Sequence, residues 1–222
     1  MIRIKLDVLM DAKKNKHQLA PKQKVGRFLL VIAIIGAGFF GVYSVLIYTA
    51  PMPSFSLPVH DLATVSGVQV FHDNRSTGQV HNGFDFKLEN VTEIFAPAGG
   101  LVTQVSKHQM SNGYWIIDVG ITINARWSYF IAFEPWTTSQ SVIDSQMQHI
   151  SVQLFQTVNV NDSLGFLIPV PGAEFPHVHW NVNEHTLDFF SDNNRSPYEY
   201  CSPLARLHLY NLCRLHGKYP AD

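Results

Sequence analysis

Charge is scarce in this chain. Asp, Glu, Lys and Arg make up 15% of its 222 residues and hydrophobic residues 46%, a balance too apolar for a wholly soluble protein, which implies a segment lying in lipid. Repeats of fixed period and low-complexity tracts are absent, which excludes a repeat array. The length suits one good-sized domain with accessory segments and is too short for two large ones. Basic residues are also unevenly spread: residues 1–27 hold 8 of the 16 Lys and Arg but 2 of the 17 Asp and Glu, so the remainder carries a formal −7. Nucleic-acid binding, which depends on cationic contacts to phosphates, is excluded for that remainder.

The lipid segment stands out. Phe28 to Ala50 contains no charged residue, and at about 1.5 Å per helical residue it spans the ~30 Å hydrocarbon core of a bilayer. A cleaved signal peptide is the rival, but its apolar region is typically about 7–15 residues long and ends in small residues, whereas Pro51 and Pro53 follow here. The expectation is a retained single-pass anchor. Lys13, Lys14, Lys16, Lys22, Lys24 and Arg27 crowd its N-terminal side and favour a cytoplasmic N-terminus, with everything after Pro51 outside.

Residues 51–64 then read as a Pro-rich spacer and 65–200 as the folded domain. In that domain short apolar or alternating runs recur between turn signals: Val91–Phe95, Leu101–Val105, Tyr114–Val119, Trp127–Phe133, Val152–Val158, Leu164–Ile168 and His177–Val182. Such spacing predicts an all-β domain. The tail, 201–222, differs. Ser202 before Pro203 suits a helix start, and Leu204, Leu207, Leu212 and Leu215 recur at roughly helical intervals before Gly217. Cysteine is limited to Cys201 and Cys213. A helix of that length separates their Cα atoms by about 18 Å, against the roughly 7 Å limit of a disulfide, so no bond is expected within one chain.

Histidine is the residue in surplus, 11 in all, and three fall into two compact groups. In His177-Val178-His179, residues two apart on a strand face the same way, so both imidazoles share one side. In His81-Asn82-Gly83-Phe84-Asp85 a straight strand would hold His81 and Asp85 about 13 Å apart, and Gly83 offers the bend that lets them converge. Two histidines and one carboxylate on a metal leave a fourth position open, as catalytic zinc requires, with one histidine left for proton transfer.

These groups resemble the LytM/M23 family of cell-wall metallopeptidases, whose marks are an early His-x-Gly-x-Asp and a late Pro-His-x-His, here Pro176 to His179. Ala96-Pro97-Ala98-Gly99-Gly100-Leu101-Val102, Gly113 to Asp118 and Val160 to Gly165 are similar to further family segments, so the resemblance covers about residues 79–183 in order. It implies an antiparallel β domain of the LytM/M23 type, with Zn2+ held by His81, Asp85 and His179, His177 assisting as catalytic residue, and hydrolysis of peptide bonds in bacterial peptidoglycan. For a bacterial chain with the anchor and basic flank above, the expectation is a protein of the inner (cytoplasmic) membrane with its C-terminal domain extracytoplasmic.

The chain departs from the family pattern where a second catalytic histidine stands in a Tyr-x-His-Leu-like segment. The matching stretch here is Tyr129 to Pro135, and Phe133 occupies the histidine's place. A phenyl ring cannot move a proton, which removes a contribution of roughly 10²–10⁴ in rate. Phe175 replaces the usual glycine before Pro176, implying a cleft of different width. His108 and His149 are candidates to replace the missing group, while Asp118 and Glu134 read as strand-end or surface carboxylates. Two functions remain open: a zinc endopeptidase acting on peptidoglycan cross-links, and a zinc-binding, non-hydrolytic scaffold or regulator with an envelope protein partner.

Overall fold

The computed structural model describes residues 21–73, 80–188 and 193–220. Lys13, Lys14 and Lys16 of the basic flank lie outside these. The chain divides after Val45 into two units. The first is formed by most of helix α1 (Pro21–Thr49), whose stretch Phe28–Thr49 is 22 residues long with a mean hydropathy of 2.5. By length and composition it can cross a membrane, a test that a signal sequence also passes.

The second unit is antiparallel β, with strands β1 (Val65–Gln69), β2 (Phe84–Leu88), β3 (Thr92–Phe95), β4 (Gly100–Gln109), β5 (Trp115–Thr122), β6 (Trp127–Glu134), β7 (Thr157–Val158), β8 (Ser163–Leu167), β9 (His177–Glu184) and β10 (Asn194–Arg195). The main sheet runs in the order β1-β2-β9-β6-β5-β4-β7, with β10 paired to β9, and β3 pairs with β8 separately. The all-β expectation therefore holds. Its strands alternate as a sheet with one packed face demands. In β6, Tyr129, Ile131 and Phe133 belong to the core, as do Phe84, Phe86 and Leu88 in β2 and Val178, Trp180 and Val182 in β9. The intervening residues face the other way and make the site.

Helix α2 (Gln140–Met147) was not anticipated. It is short and only weakly patterned, and it is fastened by Gln146, whose amide donates to the Phe166 carbonyl (2.6 Å) and whose oxygen accepts from Ile168 N (2.8 Å). Helix α3 (Pro203–Leu215) is the expected C-terminal helix: the Ser202 hydroxyl accepts from Ala205 N, and Pro203 opens the first turn. Cys213 lies inside this continuous helix and Cys201 before it, and both thiols are free and buried.

The spacer expected at 51–64 is corrected by the structure. Phe55, Leu57 and Val59 are buried core residues, alternating like a strand. Backbone bonds tie this stretch to the domain: Phe55 N donates to Tyr200 O, Ser56 N to Pro97 O, and Phe95 N to Pro58 O. None of these bonds uses a proline as donor, and Pro58 takes part through its carbonyl, so the prolines stiffen the segment without depriving it of donors. Phe55 makes edge-on contacts with Tyr129 (5.7 Å) and Trp180 (5.6 Å), the core residues directly behind the site strands.

Phe55→Ala should therefore lower stability by about 3–5 kcal/mol, as loss of a buried aromatic side chain does. Met52→Ala, at a residue 67% exposed, should stay within about 0.5 kcal/mol. Unfolding of the purified full-length chain measures both, and a Phe55→Ala protein as stable as the parent would restore the spacer reading.

Candidate metal centre

Register places the site. Across β2, β9, β6 and β5 one row runs Asp85, His179, Ala132, Asp118, and across β2, β9 and β6 the next runs Lys87, His177, Glu134. Partners directly opposite on antiparallel strands share a face, so these side chains project together from the sheet. His81 arrives from outside the row, in the irregular segment before β2.

The chain bends at Gly83 as expected, and the need for glycine is steric. A Cβ there would meet the Trp180 carbonyl oxygen at 2.4 Å and the His179 ring at 2.7 Å. The bend brings His81 Nε2 to 3.0 Å from Asp85 Oδ1 and 3.1 Å from His179 Nδ1, and His179 Nδ1 lies 2.6 Å from Asp85 Oδ1. His81 and Asp85 are fully buried, whereas His179 keeps 12% of its side chain exposed, leaving the cluster one open side.

The donor set suits a cation. His81 Nδ1–H donates to the Val70 carbonyl (2.8 Å), which leaves Nε2 with its lone pair turned towards Asp85 and His179. Acceptors from three side chains thus converge on one point, where only a proton or a metal ion relieves their mutual repulsion. Ligand atoms about 2.0–2.1 Å from a tetrahedral zinc are roughly 3.3 Å apart, so the two separations from His81 need little adjustment while Asp85 and His179, at 2.6 Å, must move apart. His81, Asp85 and His179 are the group that could hold a metal ion among the described residues.

His177 stands beside this group, not in it. Its Nδ1–H donates to the Phe175 carbonyl (2.8 Å), and its Nε2 lies 3.7 Å from Asp85 Oδ1 and 3.4 Å from Glu134 Oε2. Burial opposes a charged ring, but Asp85 and then Glu134 outweigh it and raise the His177 pKa to about 9. Burial alone would likewise push Asp85 up; the charge of His177, with smaller contributions from the neighbouring His179 and His81 rings, holds its carboxyl well below the usual carboxylate range. A stacked pair, Tyr114 and Trp136 (4.5 Å), continues to His177 (5.9 Å from Trp136), and Phe175 closes on His177 at 4.7 Å. These rings form an aromatic wall on one side. Trp136 holds a left-handed backbone (φ 61°), a conformation that a bulky residue rarely adopts.

The placement of Phe133 is the principal correction. It is fully buried in the core, opposite Val178 and Ile117, and its ring does not face the site. The residue of this stretch that does face it is Glu134, a strand-end carboxylate as expected but one set opposite His177. Counting parity along β6 from the core residues Tyr129 and Ile131 would have revealed this. His108 pairs with Asp118 (3.4 Å) on the neighbouring strand, and His149 is exposed beyond α2, so neither replaces the missing histidine beside His177.

No protein-family model matches the chain, and no curated protein matches it in sequence. Among solved structures it is similar to a mutant catalytic domain of the prophage-encoded M23 protein EnpA from Enterococcus faecalis, with 18% identity over 66% of this chain and 94% of that one and a TM-score of 0.43. It is also similar to the antimicrobial peptidase lysostaphin from Staphylococcus simulans, with 15% identity over 68% of this chain and 56% of that one and a TM-score of 0.45. A zinc-containing peptidase from Vibrio cholerae shares 20% identity over 60% of this chain and 37% of that one, with a TM-score of 0.41.

The geometry separates the two neighbouring histidines. His179→Ala should lower zinc content sharply, because two remaining protein ligands hold zinc poorly. His177→Ala should leave the metal bound. Elemental analysis of the two purified variants decides it: loss of zinc in the second with retention in the first would reverse the assignment.

Proposed function

We propose that this chain is a zinc-dependent endopeptidase that hydrolyses peptide cross-links of bacterial peptidoglycan. Helix α1 anchors it in the inner membrane, with the N-terminus cytoplasmic and the β domain outside. The observation that carries the reading is the convergence of His81 Nε2, Asp85 Oδ1 and His179 Nδ1 within hydrogen-bond distance, with His177 Nε2 alongside. His81, Asp85 and His179 would hold the ion, which would supply a water of lowered pKa, towards about 7, and polarisation of the scissile carbonyl.

The protein's own groups do the rest. The Val70 carbonyl fixes the His81 ring and the Phe175 carbonyl the His177 ring, so neither reorients during reaction. His177 Nε2 supplies the proton that the departing amine needs. The aromatic wall of Trp136 and Phe175 keeps one side of the site apolar, which strengthens charge interactions within it. An extended peptide would enter on the open side next to His179.

Purified full-length protein should clear peptidoglycan embedded in a gel, lose that activity with a chelator and regain it with zinc. After alkaline carbonate extraction of cells the intact chain should stay in the membrane pellet. Zinc-loaded protein that clears nothing would select the non-hydrolytic scaffold, and a shortened chain in the soluble fraction would reject the anchor.

A further inference from the structure

We infer that Glu134 is a second proton-transfer residue of this site, acting on the same reacting atoms as His177. The inference rests on the hydrolytic reading above and adds a group that reading does not use.

Position comes first. Glu134 ends β6 directly opposite His177, on the face that carries Asp85 and His179, while its neighbour Phe133 turns into the core. Its Oε2 lies 3.4 Å from His177 Nε2, the ring nitrogen that also approaches Asp85 Oδ1 at 3.7 Å. Because the other ring nitrogen is committed to the Phe175 carbonyl, Nε2 is the ring atom left for proton transfer, and Glu134 Oε2 is set against it.

Burial comes second. Only 12% of the Glu134 side chain is exposed, and among the described residues its ion-pair partner is His177, with no Lys or Arg against it. A carboxylate with so little exposure needs a partner, and a structural carboxylate normally has a fixed cation. Against Glu134 the group in that place is the His177 ring, directly opposite on β9.

The proton balance then closes. As the water oxygen bonds to the carbonyl carbon, one water proton passes to Glu134 Oε2. As the C–N bond breaks, the amine nitrogen takes a proton from His177 Nε2. The proton on Glu134 crosses to His177, which restores both groups and leaves a carboxylic acid and an amine.

The test is Glu134→Gln in the full-length, zinc-loaded protein, since the amide keeps the shape and removes the proton acceptor. Release of soluble fragments from purified peptidoglycan should fall about 10²-fold, while zinc content and the unfolding midpoint stay at the parent's values. Glu134→Asp should recover part of the loss. In a His177→Ala background the same change should add less than about threefold, because groups that act as a unit are not additive. An active parent with an equally active Glu134→Gln overturns this inference alone. Loss of zinc in Glu134→Gln also overturns it, by making the residue a ligand or a support. An inactive parent overturns the hydrolytic reading and this one together.

Discussion

The antiparallel register between β2 and β9, with Asp85 opposite His179 and Lys87 opposite His177, is the constraint on which the site depends. Side chains alternate along a strand, so a slip of one residue would carry His177 and His179 into the core and expose Val178 and Trp180. The apolar halves of the same strands prevent that slip. Phe84, Phe86, Val178 and Trp180 are all completely buried, and exposing them would forfeit several kcal/mol. Core packing thus fixes the polar face without touching it.

That face carries a charge problem. Asp85 is buried, His81 is buried, and His177 is buried beside them. A buried carboxylate is tolerable only when it is hydrogen-bonded or paired, and Asp85 has three imidazoles around one oxygen. A cation held between His81, Asp85 and His179 would balance this charge, and its binding would then be coupled to folding of this part of the sheet.

Support for His81 comes from the turn before it and from the far end of the chain. The Val70 carbonyl accepts from the His81 ring and from Asp73 N, Asp73 O accepts from His81 N, and Lys218 Nζ reaches the Asp73 carboxylate at 2.7 Å. Lys218, just beyond α3, therefore braces the Val70–Asp73 turn against which His81 is held. On the opposite side Phe55 backs the site strands from the segment that leaves α1. Each terminal stretch of the β domain serves as scaffolding for its centre.

Periodicity alone determined a good deal here: the strand parity that puts His177 and His179 on one face, the Ser202-Pro203 start of α3, the apolar helix, and the all-β class. Each is local, set by residues within a few positions of one another. Tertiary structure decided the rest, because the deciding partner lies far along the chain. Phe55 is core only because Tyr129 and Trp180 meet it, and Gly83 must be glycine because Trp180 and His179 lie against it. Motif order placed Phe133 at the site, yet cross-strand pairing with Val178 turned that ring inwards and presented Glu134 instead. A motif records which residues are near in sequence; which face they share is set by the strand paired alongside.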